Sequence, residues 1–134
     1  MTIQRLRYFF LSVRHFPGVV ARLASLLKEH KVDLEGMWTF TQRDDRAQIY
    51  IVPKDPESFR IAMQAAGWIT KEGTCFRFAT EDRVGLMADI LSRVDKEEVH
   101  LQAVESIVVD GRVGCYIWAE EKDVEKLAAL LTLA

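Results

Sequence analysis

The chain contains itself twice. The stretch HFPGVVARLASLLKEHKVDL, which begins at His15, returns from Glu81 as EDRVGLMADILSRVDKEEVHL, shifted by about 67 positions. Gly18 falls on Gly85, Ala21 on Ala88, Ser25 on Ser92, Val32 on Val99 and Leu34 on Leu101. The apolar stripe Val20, Leu23, Ala24 and Leu27 is matched by Met87, Ile90, Leu91 and Val94. After a one-residue deletion, Asp45-Arg46 faces Gly111-Arg112 and Ile61-Ala62 faces Leu127-Ala128. A duplication restricts the fold severely, because both halves must take the same plan.

Each half reads as strand, helix, strand, strand, helix. In the first, Leu6–Arg14 is a heavily apolar strand and Pro17–His30 a helix with an i, i+3, i+4, i+7 stripe. Val32–Thr41 alternates, placing Val32, Leu34, Gly36, Trp38 and Phe40 on one face. Arg43-Asp44-Asp45-Arg46 is a polar turn, and Ala47–Val52 a second alternating strand. Pro56–Ala66 is a helix with proline at its start and Gly67 past its end. Trp68–Thr70 is a short closing strand.

In the second half, Thr74–Ala79 is a strand, Val84–Lys96 a helix and Val99–Val109 a strand. Asp110-Gly111 is a two-residue hairpin turn into Arg112–Ala119. Lys122–Leu131 is the last helix, with stripe Val124, Leu127, Ala128 and Leu131. The class is therefore α+β: two tandem ferredoxin-like βαββαβ domains, 1–71 and 72–134, each an antiparallel sheet with its helices on one face. The second copy stops where its closing strand should run, leaving Leu131–Ala134 at most. An open edge needs a partner, which either Met1–Arg5 or a second chain would provide.

Composition removes several function classes. Eighteen basic against 20 acidic side chains leave no net basic footprint, so nucleic acid is not expected as a partner. No apolar run approaches the roughly 20 residues of a membrane span, and Met1–Arg7 begins no signal-peptide pattern. The expectation is a cytoplasmic protein without membrane contact. Cys75 and Cys115 form no CxxC and read as reduced packing residues. His15, His30 and His100 match no metal spacing, so neither metal nor cofactor is expected. No phosphate loop or nucleophile motif appears, which argues against an enzyme.

The stretches FPGVVARLASLLKEHKVDL and DRVGLMADILSRVDKEEVHL resemble the ACT-domain signature, in which an Asp/Asn-x-Pro-Gly loop leads from the first strand into the first helix. The resemblance covers nearly the whole chain as two copies. It implies regulation by a small molecule, usually an amino acid. It also implies side-by-side pairing of copies and a ligand at the loop before the first helix. On this reading the chain is a stand-alone amino-acid-binding regulatory protein. The alternative is a regulatory subunit that docks on a metabolic enzyme or transporter with weak or no ligand binding.

The residues of the two loops suit that role on physical grounds. A helix start offers unpaired N–H groups to a carboxylate, and a glycine there lets a ligand approach the backbone. A nearby side-chain oxygen would accept from an ammonium. Carried over from the signature, the second loop supplies Asp82, Arg83, Val84, Gly85 and Leu86, with Val84 where proline is usual. The first supplies His15, Pro17, Gly18 and Val19, with His15 where Asp/Asn is usual. Asp33 and His100 open the second strands and are candidates to face a neighbouring loop. A plainer reading stands beside this one: both glycines serve a turn, and Asp82 caps the helix. Trp38, Phe40, Tyr50, Ile117 and Trp118 are expected on sheet faces that no helix covers, which predicts a homodimer.

Overall fold

The computed structural model describes residues 2–41 and 44–132. Arg43 of the expected polar turn and Leu133–Ala134 of the expected closing segment lie outside the described residues. The elements are β1 Ile3–Arg14, α1 Val19–Glu29, β2 Leu34–Thr41, β3 Arg46–Pro53 and α2 Pro56–Ala66. There follow β4 Lys71–Glu81, α3 Leu86–Asp95, β5 Leu101–Val109, β6 Arg112–Ala119 and α4 Val124–Thr132, the last preceded by a 3₁₀ turn at Glu121–Asp123.

The chain forms two compact units, and they do not divide where the repeat does. One holds Arg7–Gly73; the other holds Met1–Leu6 together with Thr74–Ala134. In the first unit β2, β3 and β1 are neighbours, and the opening residues of β4 lie on the free side of β1. In the second, β5, β6 and β4 are neighbours, and the opening residues of β1 lie beside β4. The edge of β4 in this unit is thus covered by the opening residues of β1. Ile3 packs against the second unit's core, Arg5 stacks over the Phe76 ring at 5.9 Å, and Arg5 pairs with Glu125 at 2.5 Å.

Each unit buries one face of its sheet under two helices. In the unit Arg7–Gly73, Phe9↔Ile51 and Leu11↔Ile49 are cross-strand partners. Val19, Leu23 and Leu27 of α1, and Phe59, Ala62 and Met63 of α2, are the buried residues of these helices. All but Val19 join that pair of strands in one core cluster. In the other unit, Phe76↔Ile117 and Phe78↔Cys115 underlie Leu86, Ile90 and Val94 of α3 and Val124, Leu127 and Leu131 of α4. The buried rows are thus i, i+4, i+8 and begin at Val19 and Leu86. Val20 and Met87, expected to begin the stripes, are only half-buried.

Four local expectations need correction. Trp68–Thr70 is not a strand. Gly67 ends α2 in the left-handed region (φ 74°), and the Trp68 N–H donates to Met63 O at 3.0 Å, a helix-stop geometry that ties up its backbone. Second, β2 does not keep one face. A register irregularity between Leu34 and Gly36 lets Leu34 pack on the helix side while Trp38 sits opposite Tyr50. The same irregularity recurs between Leu101 and Ala103, further support for the duplication.

Third, Ile117 and Trp118 cannot share an open face, because successive strand residues point oppositely. Ile117 is fully buried under the helices, and Trp118 is only 2% exposed, stacked with Tyr116 at 5.9 Å. Fourth, α1 and α3 begin later than expected, at Val19 and Leu86, for the reason given next.

Candidate functional site

Both glycine loops are tight turns completed by the first helical residue. At Phe16-Pro17-Gly18-Val19, the Val19 N–H donates to Phe16 O at 3.1 Å and Gly18 holds φ 89°, ψ 0°. This is the type II pattern, which prefers proline second and requires a positive φ third. At Arg83-Val84-Gly85-Leu86, the Leu86 N–H donates to Arg83 O at 3.3 Å and Gly85 holds φ 83°, ψ 0°. The glycine carbonyls then accept the first helical bonds, from Arg22 at 2.9 Å and Asp89 at 3.0 Å. Pro17 therefore stands before the helix, not inside it. A Cβ at Gly18 or Gly85 would meet nothing within 4 Å, so backbone conformation alone is enough to require glycine here.

The second loop is fixed at both ends. Glu81 is the register partner of Arg112, and the Asp82 N–H donates to Gly111 O at 2.9 Å, placing Asp82 beside the Asp110-Gly111 hairpin turn. Arg83 pairs with Asp89 in the first turn of α3 at 2.6 Å. No side chain caps α3; its N-cap is Gly85. The capping role considered for Asp82 is therefore overturned: its carboxylate is exposed and makes no hydrogen bond or ion pair among the described residues. Val84 is 101% exposed. Leu86 sends its side chain into the core and its N–H into the turn. It cannot serve as the free donor expected of it.

The first loop is held differently. The His15 N–H donates to Asp45 O at 2.7 Å, Val19 is buried, and Phe16, which the motif reading passed over, is exposed. The first turn of α1 has no acidic residue and no side-chain cap.

Asp33 and His100 are not brought to the glycine loop of their own unit. β1 and β2 both run antiparallel to β3, so β2 starts at the far end of the sheet from Gly18. Leu34 pairs near Pro53, whereas Arg14 pairs with Arg46. Asp33 is engaged there: it pairs with Lys54 at 2.8 Å and accepts from the Leu34 N–H at 2.9 Å. The Lys54 contact, then the backbone bond, hold its carboxyl below the usual carboxylate range. His100 likewise opens β5 near Ala119, while Asp82 follows the Glu81↔Arg112 end. His100 lines a groove of about 460 Å³ with Leu91, Ser92, Val94, Asp95, Val99 and Leu101.

Cys75 and Cys115 are free thiols, fully buried, on adjacent strands but opposite faces. Burial pushes both thiols up to about 12, which makes them inert packing groups. Among the described residues no group of three or more His, Cys, Asp or Glu is placed to hold a metal ion. No helix among them is long and apolar enough to cross a membrane.

No family model matches this sequence, and no curated protein matches it. Solved structures do match. A protein from Bacteroides thetaiotaomicron superposes with TM-score 0.85 at 12% identity, over 97% of this chain and 88% of that one. The ligand-free regulatory subunit of aspartate kinase from Thermus thermophilus gives TM-score 0.66 at 11% identity, over 99% and 95%. The corresponding Thermus flavus subunit gives 0.64 at 12%, over 98% and 94%. At these identities the likeness establishes the fold, and it is the ACT-type fold.

Proposed function

We propose that the chain is a regulatory module that senses an amino acid, with the working site at the second loop. The observation that carries this is Asp82. It is a solvent-facing carboxylate with no partner among the described residues, held by its own backbone bond to Gly111 beside a helix start that no side chain caps. A ligand ammonium would meet the carboxylate, and a ligand carboxylate would meet the first-turn N–H groups of Met87 and Ala88. These replace Leu86 as donors, since Leu86 spends its N–H in the turn. The site binds and does no chemistry. The aspartate kinase regulatory subunits that share the fold fit a regulatory role.

A second reading, a regulatory subunit that docks on an enzyme or transporter, is favoured by the first loop. There His15 replaces the acceptor and Phe16 presents an exposed ring. Native mass spectrometry of the purified chain, followed by titration calorimetry across the common amino acids, separates the two. A retained or titratable amino acid supports sensing. An empty chain that no amino acid binds removes sensing and leaves docking.

A further inference from the structure

The unit Arg7–Gly73 carries, on the sheet face away from its helices, an aromatic platform with a cationic end. Tyr50 lies at its centre, 5.0 Å from the Phe10 ring and 6.3 Å from those of Tyr8 and Phe40. Trp38 is the register partner of Tyr50, and Phe40 stands 47% exposed. The rings are inclined to one another, Phe10 at 48° and Phe40 at 75° to Tyr50, and two glycines make room for the Trp38 and Tyr8 rings. A Cβ on Gly36 would come within 2.7 Å of the Trp38 ring, and one on Gly73 within 2.8 Å of the Tyr8 ring.

Along the same face the next partner pairs are Ser12↔Gln48 and then Arg14↔Arg46. Two arginines directly opposite each other are destabilising unless an anion lies between them. Arg46 is held in place by Ser12, with Nε to Oγ at 3.2 Å and Nη2 to the carbonyl at 2.5 Å. Neither arginine pairs with a carboxylate among the described residues. The register partners that share this face in β1, β2 and β3 include no Asp or Glu, while Asp44, in the adjoining turn, accepts from the Arg46 backbone N–H at 3.3 Å. The near-neutral balance of the whole chain conceals this local separation.

From this juxtaposition we propose that the face binds single-stranded nucleic acid, with bases stacked on Tyr50, Phe10 and Phe40 and phosphates between Arg14 and Arg46. Several rings spread along one open sheet face argue for a strand over a lone small molecule, which needs a concave site. Successive bases use successive rings, and every base has a face to stack. A second copy seated here strand on strand would oppose arginines to arginines and aromatics. This site is separate from the Asp82 loop and stands without it.

The test uses a fluorescein-labelled oligouridylate of about 10 nucleotides, read by anisotropy at low salt. Protein is raised to the order of 100 µM, the weak end of non-specific nucleic-acid binding. Binding is expected, with a log–log salt slope near about −1.4 for two phosphates on a single strand. Phe40→Ala should weaken it about tenfold. Arg14→Ala should weaken it and flatten the slope by about 0.7. Both side chains are exposed, and circular dichroism checks the fold. Asp82→Asn should leave it unchanged.

No anisotropy change overturns the proposal. So does equal binding of a duplex of the same length, or binding that Phe40→Ala leaves intact. Full competition by uridine monophosphate at equal nucleotide concentration would mean a small-molecule site instead. Self-association that Phe40→Ala abolishes, without oligonucleotide binding, would assign the face to a second copy and also overturn it.

Discussion

Gly18 and Gly85 hold one backbone conformation, φ 89° and 83° with ψ at 0°, at equivalent points of the two repeats. Each is third in a type II turn whose last N–H belongs to the first residue of a helix. A side chain at either would meet open space, so the whole effect of adding one is backbone strain. Gly18→Ala and Gly85→Ala should each cost about 1–2 kcal/mol, the penalty of the left-handed region. Asparagine at the same sites should cost less. Urea unfolding gives the measurement, and an unchanged midpoint in both alanine variants would contradict the turn assignment.

Ile3 belongs to the second unit's core although it opens the chain. Ile3→Ala should destabilise that unit by about 1–2 kcal/mol, the scale of part of a buried aliphatic side chain. Deleting residues 2–6 should do more, because β4 then has an unpaired edge. Hydrogen exchange should show faster exchange along β4 first. Unchanged protection at Cys75–Phe78 would show that the opening residues do not close this sheet.

Glu72 accepts from Arg60 at 2.9 Å and from Arg7 at 2.8 Å, joining the start of β4 to α2 and β1. The Arg60 bonds first, then Arg7, pull its carboxyl down from 4.5 to about 2. A carboxyl depressed on folding contributes stability that is fully present above the unfolded value. That stability should fall away between about pH 4.5 and about pH 2. Glu72→Gln should be less stable than the parent at neutral pH, and its melting temperature should fall less steeply through this window. Parallel acid limbs for parent and variant would count against the network.

Much of this architecture is legible in the sequence, for local reasons. Pro56 and Gly67 bound α2 where expected, because both act through their own φ angles. The Asp110-Gly111 turn reads equally well, with φ 51° and 75°. The irregularities after Leu34 and Leu101 are hidden, because one extra residue leaves the apolar alternation looking intact. The opening residues Ile3–Leu6 mix polar and apolar types, and their burial is decided by β4, far along the chain. At the site, the residue types around Asp82 and Gly85 were visible. That the Leu86 N–H is spent in the turn, and that Asp33 lies at the other end of its sheet, depend on turn geometry and strand direction.

Asp82 provides the sharpest separation between a binding role and a structural one. Its backbone N–H, not its side chain, ties the loop to Gly111, and Gly85 rather than Asp82 caps α3. Asp82→Asn keeps the backbone bond and the side-chain size while removing the charge. Its effect on thermal stability should therefore stay within about 0.5 kcal/mol, as for a surface change that breaks no contact. If the carboxylate receives a ligand ammonium, affinity for the amino acid found by calorimetry should fall by about 1–3 kcal/mol, roughly 5- to 150-fold. His15→Asp in the first loop, which restores an acceptor beside Gly18, should create or strengthen a second binding event. A destabilised Asp82→Asn with unaltered affinity would reverse both assignments and make the loop a structural turn.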